Sequence, residues 1–436
     1  MRTEAQHHET GHRSRRPSGA SSLNRRRLAL LALFFLPGIS IASWVTRTPS
    51  IRDSLDASTA QMGLVLFGLS IGSMIGILGS GPLVSRWGAR PVIVVGTIGV
   101  VASMPIVGLG AAVSQPLVVA AGLVVFGLGM GTGEVAMNVE GAELEKHLGS
   151  PFLPALHGFF SLGTVIGAVL GIVATAADFS VLIHLVAIGV LGAIVLVPAM
   201  RHVPAGTGRT DAATTSADAS ASAHGDRNPT AASAVSGSRA RPVWRDPRLI
   251  VIGAIVLGMA LAEGTANDWL PLVMVDGHGF DAALGSSIYA IFAASMTLGR
   301  FLGGPIVARF GRPNVLLVSG AFGLVGIGLT SLIDSQIVAA VAVILWGLGT
   351  SLGFPVALSE AGASGPNPAK RVATVSTIGY LAFLVGPPAL GLVGEHWGLR
   401  SALLIPMGVL VLVVALAPVL RRRHRARRPR EPQSPR

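Results

Sequence analysis

Cysteine is absent from the 436 residues, which excludes disulfides, thiolate metal sites and a cysteine nucleophile. Lysine is nearly absent: Lys146 and Lys370 are the only two. Neither follows a glycine or precedes Ser or Thr, so there is no GxxxxGK[ST] phosphate loop and no ATPase motor built on one. Charge is scarce too. Only 12% of residues are charged, roughly half the ~25% of an average soluble domain. That is too little to cover a water-facing surface, while 51% of residues are hydrophobic. Much of the surface must therefore face lipid. The formal net charge of +12 invites a nucleic-acid reading, but the arginines lie in the two tails, a middle segment and a few short loops. Such a distribution is a topology signal, and no nucleic-acid partner is expected. The eleven histidines are scattered, with His7, His8 and His12 in a polar tail, and no metal or cofactor is expected.

A membrane span takes about 20 mostly apolar residues. Such runs lie at 28–46, 60–83, 92–113, 117–138, 153–177 and 180–200, and again at 249–273, 283–308, 314–333, 336–359, 372–394 and 398–420. This pattern predicts an all-α membrane protein of about twelve transmembrane helices. The joins are short and carry turn residues, such as Ser114-Gln115-Pro116 and Gly311-Arg312-Pro313. Arg25-Arg26-Arg27 before an apolar run resembles a cleaved signal peptide, but the run has a counterpart later in the chain. With the first span running outward, only Arg47, Arg52 and Arg400 fall outside, and Arg86, Arg90, Lys146, Arg309, Arg312, Lys370 and Arg371 fall inside. The expected protein is multi-pass in a plasma or inner membrane, with both termini cytoplasmic. Residues 1–27 read as a disordered tail and 421–436 as a basic cytoplasmic tail. Residues 201–248, rich in Ala, Ser, Thr and Gly without hydrophobic periodicity, read as a disordered linker. They separate two stretches of nearly equal length, 28–200 and 249–420.

The stretches repeat one another. GSGPLVSRWGARPVIVV (79–95) matches LGGPIVARFGRPNVLLV (302–318), pairing Gly81, Pro82, Val84, Arg86 and Gly88 with Gly304, Pro305, Val307, Arg309 and Gly311. FGLGMGTG (126–133) likewise pairs with WGLGTSLG (346–353). A duplicated set of six spans is a mark of secondary transporters, whose substrate site lies at the repeat interface near mid-membrane. The loop Gly81-Pro82-Leu83-Val84-Ser85-Arg86-Trp87-Gly88-Ala89-Arg90 resembles the major facilitator superfamily signature G-x-L-[AS]-D-R-x-G-[RK]-[RK], with Ser85 where the family has an acid. The resemblance runs over residues 25–420 and implies the major facilitator fold, two pseudo-symmetric six-helix halves. It also marks Gly81, Arg86, Gly88, Arg90, Gly304, Arg309, Gly311 and Arg312 as gating-loop residues. GEVAMNVEGAELEKHLG (133–149), HGFFSLGTVIGAVLG (157–171) and AEGTANDW (262–269) look like the fucose permease-like branch of proton-linked sugar transporters, although the acid of that branch's first helix is missing here.

A charge at bilayer depth costs roughly 2.5–3.5 kcal/mol on insertion scales and persists only with a reason. Glu134 in the fourth span shares a face with Asn138, and is the candidate for loading and releasing a proton. The competing reading is a structural acid reaching the inner interface. Glu263 in the seventh span, with Asn267 one turn on and Asp268 and Trp269 beyond, suits a site where carboxylate and amide bind hydroxyls and a ring stacks. A packing network or a helix break near Pro271 would also explain it. Glu263 is a second coupling candidate. Trp44 holds nearly the matching place in the first span, as a substrate-stacking ring or an outer interfacial anchor. Arg300 needs an acidic partner, with Glu134 a possible one, or reaches the headgroups. His157 reads as a polar helix-end residue rather than a proton relay. Small-residue stripes, Gly68/Gly72/Gly76, Gly163/Gly167/Gly171 and Ser295/Gly299/Gly303, permit close helix approach, either as sliding contacts between halves or as static packing.

These readings lead to a monomeric carrier, not an enzyme, that moves a sugar or other small polar metabolite with protons by alternating access, using the proton gradient and no cofactor. The runner-up is a drug or metabolite efflux antiporter, disfavoured because GTVIGAVLGIV stands where efflux members carry G-x-x-x-G-P-x-x-G-G. Reporter fusions in the 201–248 linker and after Arg421 should both read cytoplasmic. An external reading at either would show the span count or the orientation to be wrong.

Overall fold

The computed structural model describes residues 19–149, 152–209, 246–365 and 368–426. Twelve helices in it are long and apolar enough to cross a membrane. With no water at bilayer depth, a chain must satisfy its amides internally, and no strand occurs among the described residues. The first half comprises α1 (Gly19–Val45), a short α2 (Thr48–Leu55), α3 (Thr59–Trp87), α4 (Ala89–Ala112), α5 (Pro116–Leu148), α6 (Leu153–Ala176) and α7 (Val181–Met200). The second comprises α8 (Pro247–Leu272), α9 (Ala282–Phe310), α10 (Arg312–Leu332), α11 (Gln336–Ala363), α12 (Pro368–Trp397), a short α13 (Leu399–Ala402) and α14 (Leu404–Ala426). The six spans of each half return it to the face on which it began, here called the terminal face; the opposite face is the far face.

The repeat in sequence is a repeat in packing. In the first half α3 and α4 pack on α5, α1 on α6, and both α4 and α1 on α7. The second half reproduces each contact: α9 and α10 on α11, α8 on α12, and both α10 and α8 on α14. Local signals match as well. Ser58 caps α3, accepting from the Gln61 amide at 3.3 Å, and Asp281 caps α9, accepting from Leu284 at 2.9 Å. Gly88 and Gly311 break the chain between α3 and α4 and between α9 and α10 with φ of 84° and 76°, where a Cβ would be strained. That geometry accounts for the glycine in both gating loops.

Glycine stripes draw helices together within each half rather than between halves. Gly72 and Gly76 of α3 lie against the α5 backbone, Gly163 and Gly167 of α6 against α1, and Gly299 and Gly303 of α9 against Ser351 and Leu352 of α11. The sliding-contact reading of these stripes is therefore corrected: they are internal packing. The two main contacts between the halves are α3 with α12 and α6 with α9, again related by the repeat, with smaller ones from α1 and α2 to α8. On the α3–α12 seam Gly63 faces Gly391, and the Ser70 hydroxyl donates to the Phe383 carbonyl at 2.6 Å.

Several boundaries differ from the sequence reading. Helix α1 begins at Gly19, inside the segment read as a disordered tail, because Arg26 is anchored to buried Glu140 at 2.7 Å. Residues 201–209 are ordered, since the Ala89 amide donates to Thr207 O at 2.8 Å and Val203 is buried. On the other side of the linker Asp246 caps α8 and accepts from Arg371 at 2.5 Å. Burial pushes the Asp246 carboxyl up, but the Arg371 guanidinium and the Arg248 amide pull it down further, below its ordinary range. The rest of the linker reading, 210–245, and the tails 1–18 and 427–436 lie outside the described residues. Span seven ends in a π-helical turn, Val273–Gly277, just after Pro271.

Packing of this kind leaves no room for a methyl. A Cβ on Gly127 of α5 would meet the Ser73 amide nitrogen at 2.7 Å and the Leu69 carbonyl, whereas Gly79 has no atom within 4 Å of that position. Gly127→Ala should cost about 1–3 kcal/mol and lower the thermal midpoint in detergent, with Gly79→Ala unchanged. Equal midpoints would contradict the packing.

Candidate functional site

Near the middle of the helix bundle, polar side chains from both halves face one another. Glu134 stands midway along α5, Glu263 and Asn267 in the second half of α8, Arg300 on α9 and Tyr380 on α12. Arg300 Nη2 donates to Glu263 Oε1 at 2.7 Å. The pairing of Arg300 with Glu134 is therefore not formed; the guanidinium serves the acid of its own half. Glu134 takes no hydrogen bond among the described residues, yet it lies within Coulombic reach of both Arg300 and Glu263. Both acids are half-buried. Among the described residues, three acids, Glu134, Glu263 and Asp268, share this region with one guanidinium, that of Arg300.

Asn138 lies one turn from Glu134 toward the terminal face, half-buried and without a hydrogen bond among the described residues. Its amide is available to a ligand. Asn267 Oδ1 accepts from the Tyr289 hydroxyl at 3.3 Å, which orients it. Asp268 is 6% exposed and makes no hydrogen bond or ion pair among the described residues. The two tryptophans depart further from expectation. Trp44 is 1% exposed, edge-on to Phe126 at 6.5 Å, so it is not an interfacial anchor. Trp269, also 1% exposed, wedges against Gly63 and Gly391 on the α3–α12 seam. Neither ring is open for stacking a substrate in this conformation, because both already fill the core.

Some residues of the region escaped the sequence reading. The chain's only two tyrosines, Tyr289 and Tyr380, both border it: Tyr289 within reach of Glu263 and Asp268, Tyr380 within reach of Glu134. Their rarity was the available signal. His157, near the start of α6, packs edge-on against Phe34 at 5.4 Å and feels the charge of Arg300.

A second polar layer lies toward the terminal face. Glu140 and Glu360, both fully buried, occupy the same place in the register that pairs FGLGMGTG with WGLGTSLG. Each is held by an arginine at the start of its half: Arg26 to Glu140 at 2.7 Å, Arg248 to Glu360 at 2.5 Å. Of the gating-loop arginines, Arg312 comes within 4.0 Å of Glu360, Arg309 lies over the Phe310 ring, and Gly81 and Gly304 face open space.

The far face is shut. Arg52 bonds Asp276 across the halves, Glu395 accepts from the Ala60 amide at 3.0 Å, and the Ser286 hydroxyl donates to Thr46 O at 2.6 Å. Closure reaches inward to the Ser70–Phe383 bond, about 16 Å along α3 from its far end. On the terminal side no hydrogen bond or ion pair joins the halves among the described residues. A cavity of about 750 Å³ opens on the far face among Arg47, Ser54, Asp178 and Asp281, remote from the central acids. Arg47, at its wall, already donates to Thr175 and the Phe179 carbonyl.

The chain is 30% identical over 385 residues to an uncharacterised MFS-type transporter of Yersinia pestis, covering 87% of this chain and 91% of that one. Among solved structures it is similar to a point mutant of the nucleoside transporter NupG, with TM-score 0.70, 16% identity and coverage of 91% and 99%. It is similar also to a point mutant of the E. coli fucose:proton symporter FucP, with TM-score 0.59, 18% identity and coverage of 92% and 99%. At such identities the likeness to solved structures speaks for the fold. The sequence profile of the Major Facilitator Superfamily matches residues 28–368, and with the repeat of spans and contacts described above, the chain belongs to that superfamily of multi-pass membrane transporters.

Proposed function

We propose that the protein is a proton-coupled symporter of a sugar or other small polar metabolite, working by alternating access about the central polar region. The observation that carries this reading is the unequal count of charges there. One guanidinium is bonded to the acid of its own half, and half-buried Glu134 of the other half has no bonded partner among the described residues. An uncompensated carboxylate at bilayer depth is costly, and a proton is the simplest compensation. Asn138 and Asn267, with the Tyr289 and Tyr380 hydroxyls, supply the donors and acceptors that a hydroxylated substrate needs. The likeness to a fucose:proton symporter supports the same class of substrate. Orientation follows from charge: the terminal face carries nearly all the loop arginines and both lysines, so we take it as cytoplasmic, with the far face closed in this conformation. The gating loops would sit at that face, and the carrier would act as a monomer in the plasma or inner membrane.

Glutamine at 134 imitates the protonated acid. A Glu134→Gln carrier should still cross the membrane loaded and exchange labelled for unlabelled substrate, but it could not release a proton to return empty. The lost driving force is about 2.3 kcal/mol per charge per 100 mV plus the pH term. Counterflow and pH-driven accumulation, measured in the same proteoliposomes, check this. Accumulation at the wild-type level would refute coupling through Glu134, and loss of both activities in a folded variant would reassign it to substrate binding.

A further inference from the structure

We propose that Arg300 is a positioning residue that exchanges carboxylate partners, between Glu263 in its own half and Glu134 across the interface, and that this exchange ties the proton on Glu134 to closure of the terminal face. The proposal rests on the reading of Glu134 as the proton carrier and adds the device by which its charge moves the halves.

The argument starts from which half each group belongs to. Arg300 on α9 and Glu263 on α8 are both in the second half, so their 2.7 Å bond pulls nothing across the interface. Glu134 on α5 is in the first half. A bond from Arg300 to Glu134 would instead be a link between halves. It would lie on the terminal side of the Ser70–Phe383 contact, where the described residues show no such link. The structure therefore displays the state expected when Arg300 is held by Glu263: polar bonds between the halves on the far side, and none on the terminal side among the described residues.

Charge decides the partner. The groups that act on Glu134 are Arg300 from α9 and Glu263 from α8, while Tyr380 on α12 feels Glu134 and His157 on α6 feels Arg300. Helices α1, α3 and α4, also near α5, carry titratable side chains only at their ends: Arg25, Arg26, Arg27, Arg86 and Arg90. With Glu134 protonated, it offers Arg300 no anion, and Glu263 keeps the guanidinium. With Glu134 ionised, two carboxylates compete for one fork. Transfer to Glu134 then costs little electrostatically, because one charge-assisted bond replaces another, and the new bond draws α9 toward α5. Glu263 is thereby freed to meet a substrate hydroxyl. A ligand or proton shifts a two-state equilibrium only by its difference in affinity for the two states, and here that difference resides in a single movable guanidinium.

The two acids must then act with opposite sign, which a merely structural role would not produce. The chain supplies its own reporters: it has no cysteine, and its only lysines, Lys146 near the end of α5 and Lys370 near the start of α12, are exposed on the terminal face, one in each half. Spin labels on Lys146→Cys/Lys370→Cys, in the full chain in lipid nanodiscs without substrate, report the opening by electron–electron distance measurement. In this background the separation should be long at about pH 5 and shorten toward about pH 9, either side of the range in which a tuned carboxyl titrates. Glu134→Gln should stay long at both. Glu263→Gln should shift the population ratio toward the short separation at the higher pH, by on the order of tenfold. Arg300→Gln should lose the pH response, and Arg300→Lys should keep a weakened one if the glutamine variant does not fold. Shifts of the same sign in the two glutamate variants, or an intact pH response in Arg300→Gln, would overturn the exchange. An intact response in Glu134→Gln would instead overturn Glu134 as the proton carrier.

Discussion

Within a bilayer no water solvates an amide or a carboxylate, so each must find its partner inside the protein. Most features of this structure answer that constraint. The chain is helical wherever it spans. The acids fully buried near the terminal face, Glu140 and Glu360, are each bonded to an arginine from the first helix of their own half. Breaking such a pair leaves an uncompensated buried charge, which costs about 3–5 kcal/mol. Against this background Glu134 and Asp268 stand out as acids within spans that make no hydrogen bond or ion pair among the described residues, Glu134 half-buried and Asp268 buried, while Glu263 is paired. The transport reading grows from the first of these.

The same constraint separates rigid from movable contacts. Inside each half, glycine stripes bring backbones together and tolerate no added methyl, so α3–α5, α1–α6 and α9–α11 behave as fixed units. Between halves, few polar bonds run among the described residues, and they cluster toward the far face: Arg52–Asp276, Glu395–Ala60 and Ser286–Thr46. These bonds, with Ser70–Phe383 the deepest, are few enough to break and reform as two rigid bodies rock. The central polar region sits just beyond the last of them, where either opening would expose it.

The fold was legible in the sequence because its signals are periodic and duplicated. Twelve apolar runs announced twelve spans, and Gly88 with Gly311 announced a helix break in each half by a conformation that glycine adopts without strain. The central site was legible in its acids, since Glu134, Glu263 and Arg300 are conspicuous within apolar runs. Their pairing was not, because choosing between Glu134 and Glu263 for Arg300 depends on how helices distant in sequence cross. For the same reason Trp44 and Trp269 could be read as anchors or stacking rings, whereas the bundle uses them as core. Tyr289 and Tyr380 carry no charge to betray them, so their rarity, two tyrosines in the whole chain, was the one signal they offered. The order in residues 19–27 and 201–209 was missed because polar composition says nothing of a long-range partner such as Glu140 for Arg26 or the Ala89 amide for Thr207.

Alternating access about the central acids is the claim on which the account rests. Asn267, one turn from Glu263 and half-buried, gives a direct test in a chain otherwise free of cysteine. Asn267→Cys, reconstituted in sealed vesicles of known orientation, is exposed to a membrane-impermeant maleimide from one side and then, in a separate sample, from the other. The account predicts labelling from the terminal face at once, and from the far face at a slower rate limited by opening of the Arg52–Asp276 closure, with Arg52→Ala speeding the far-face reaction alone. Labelling confined to the terminal face at every pH and in the Arg52→Ala variant would contradict it.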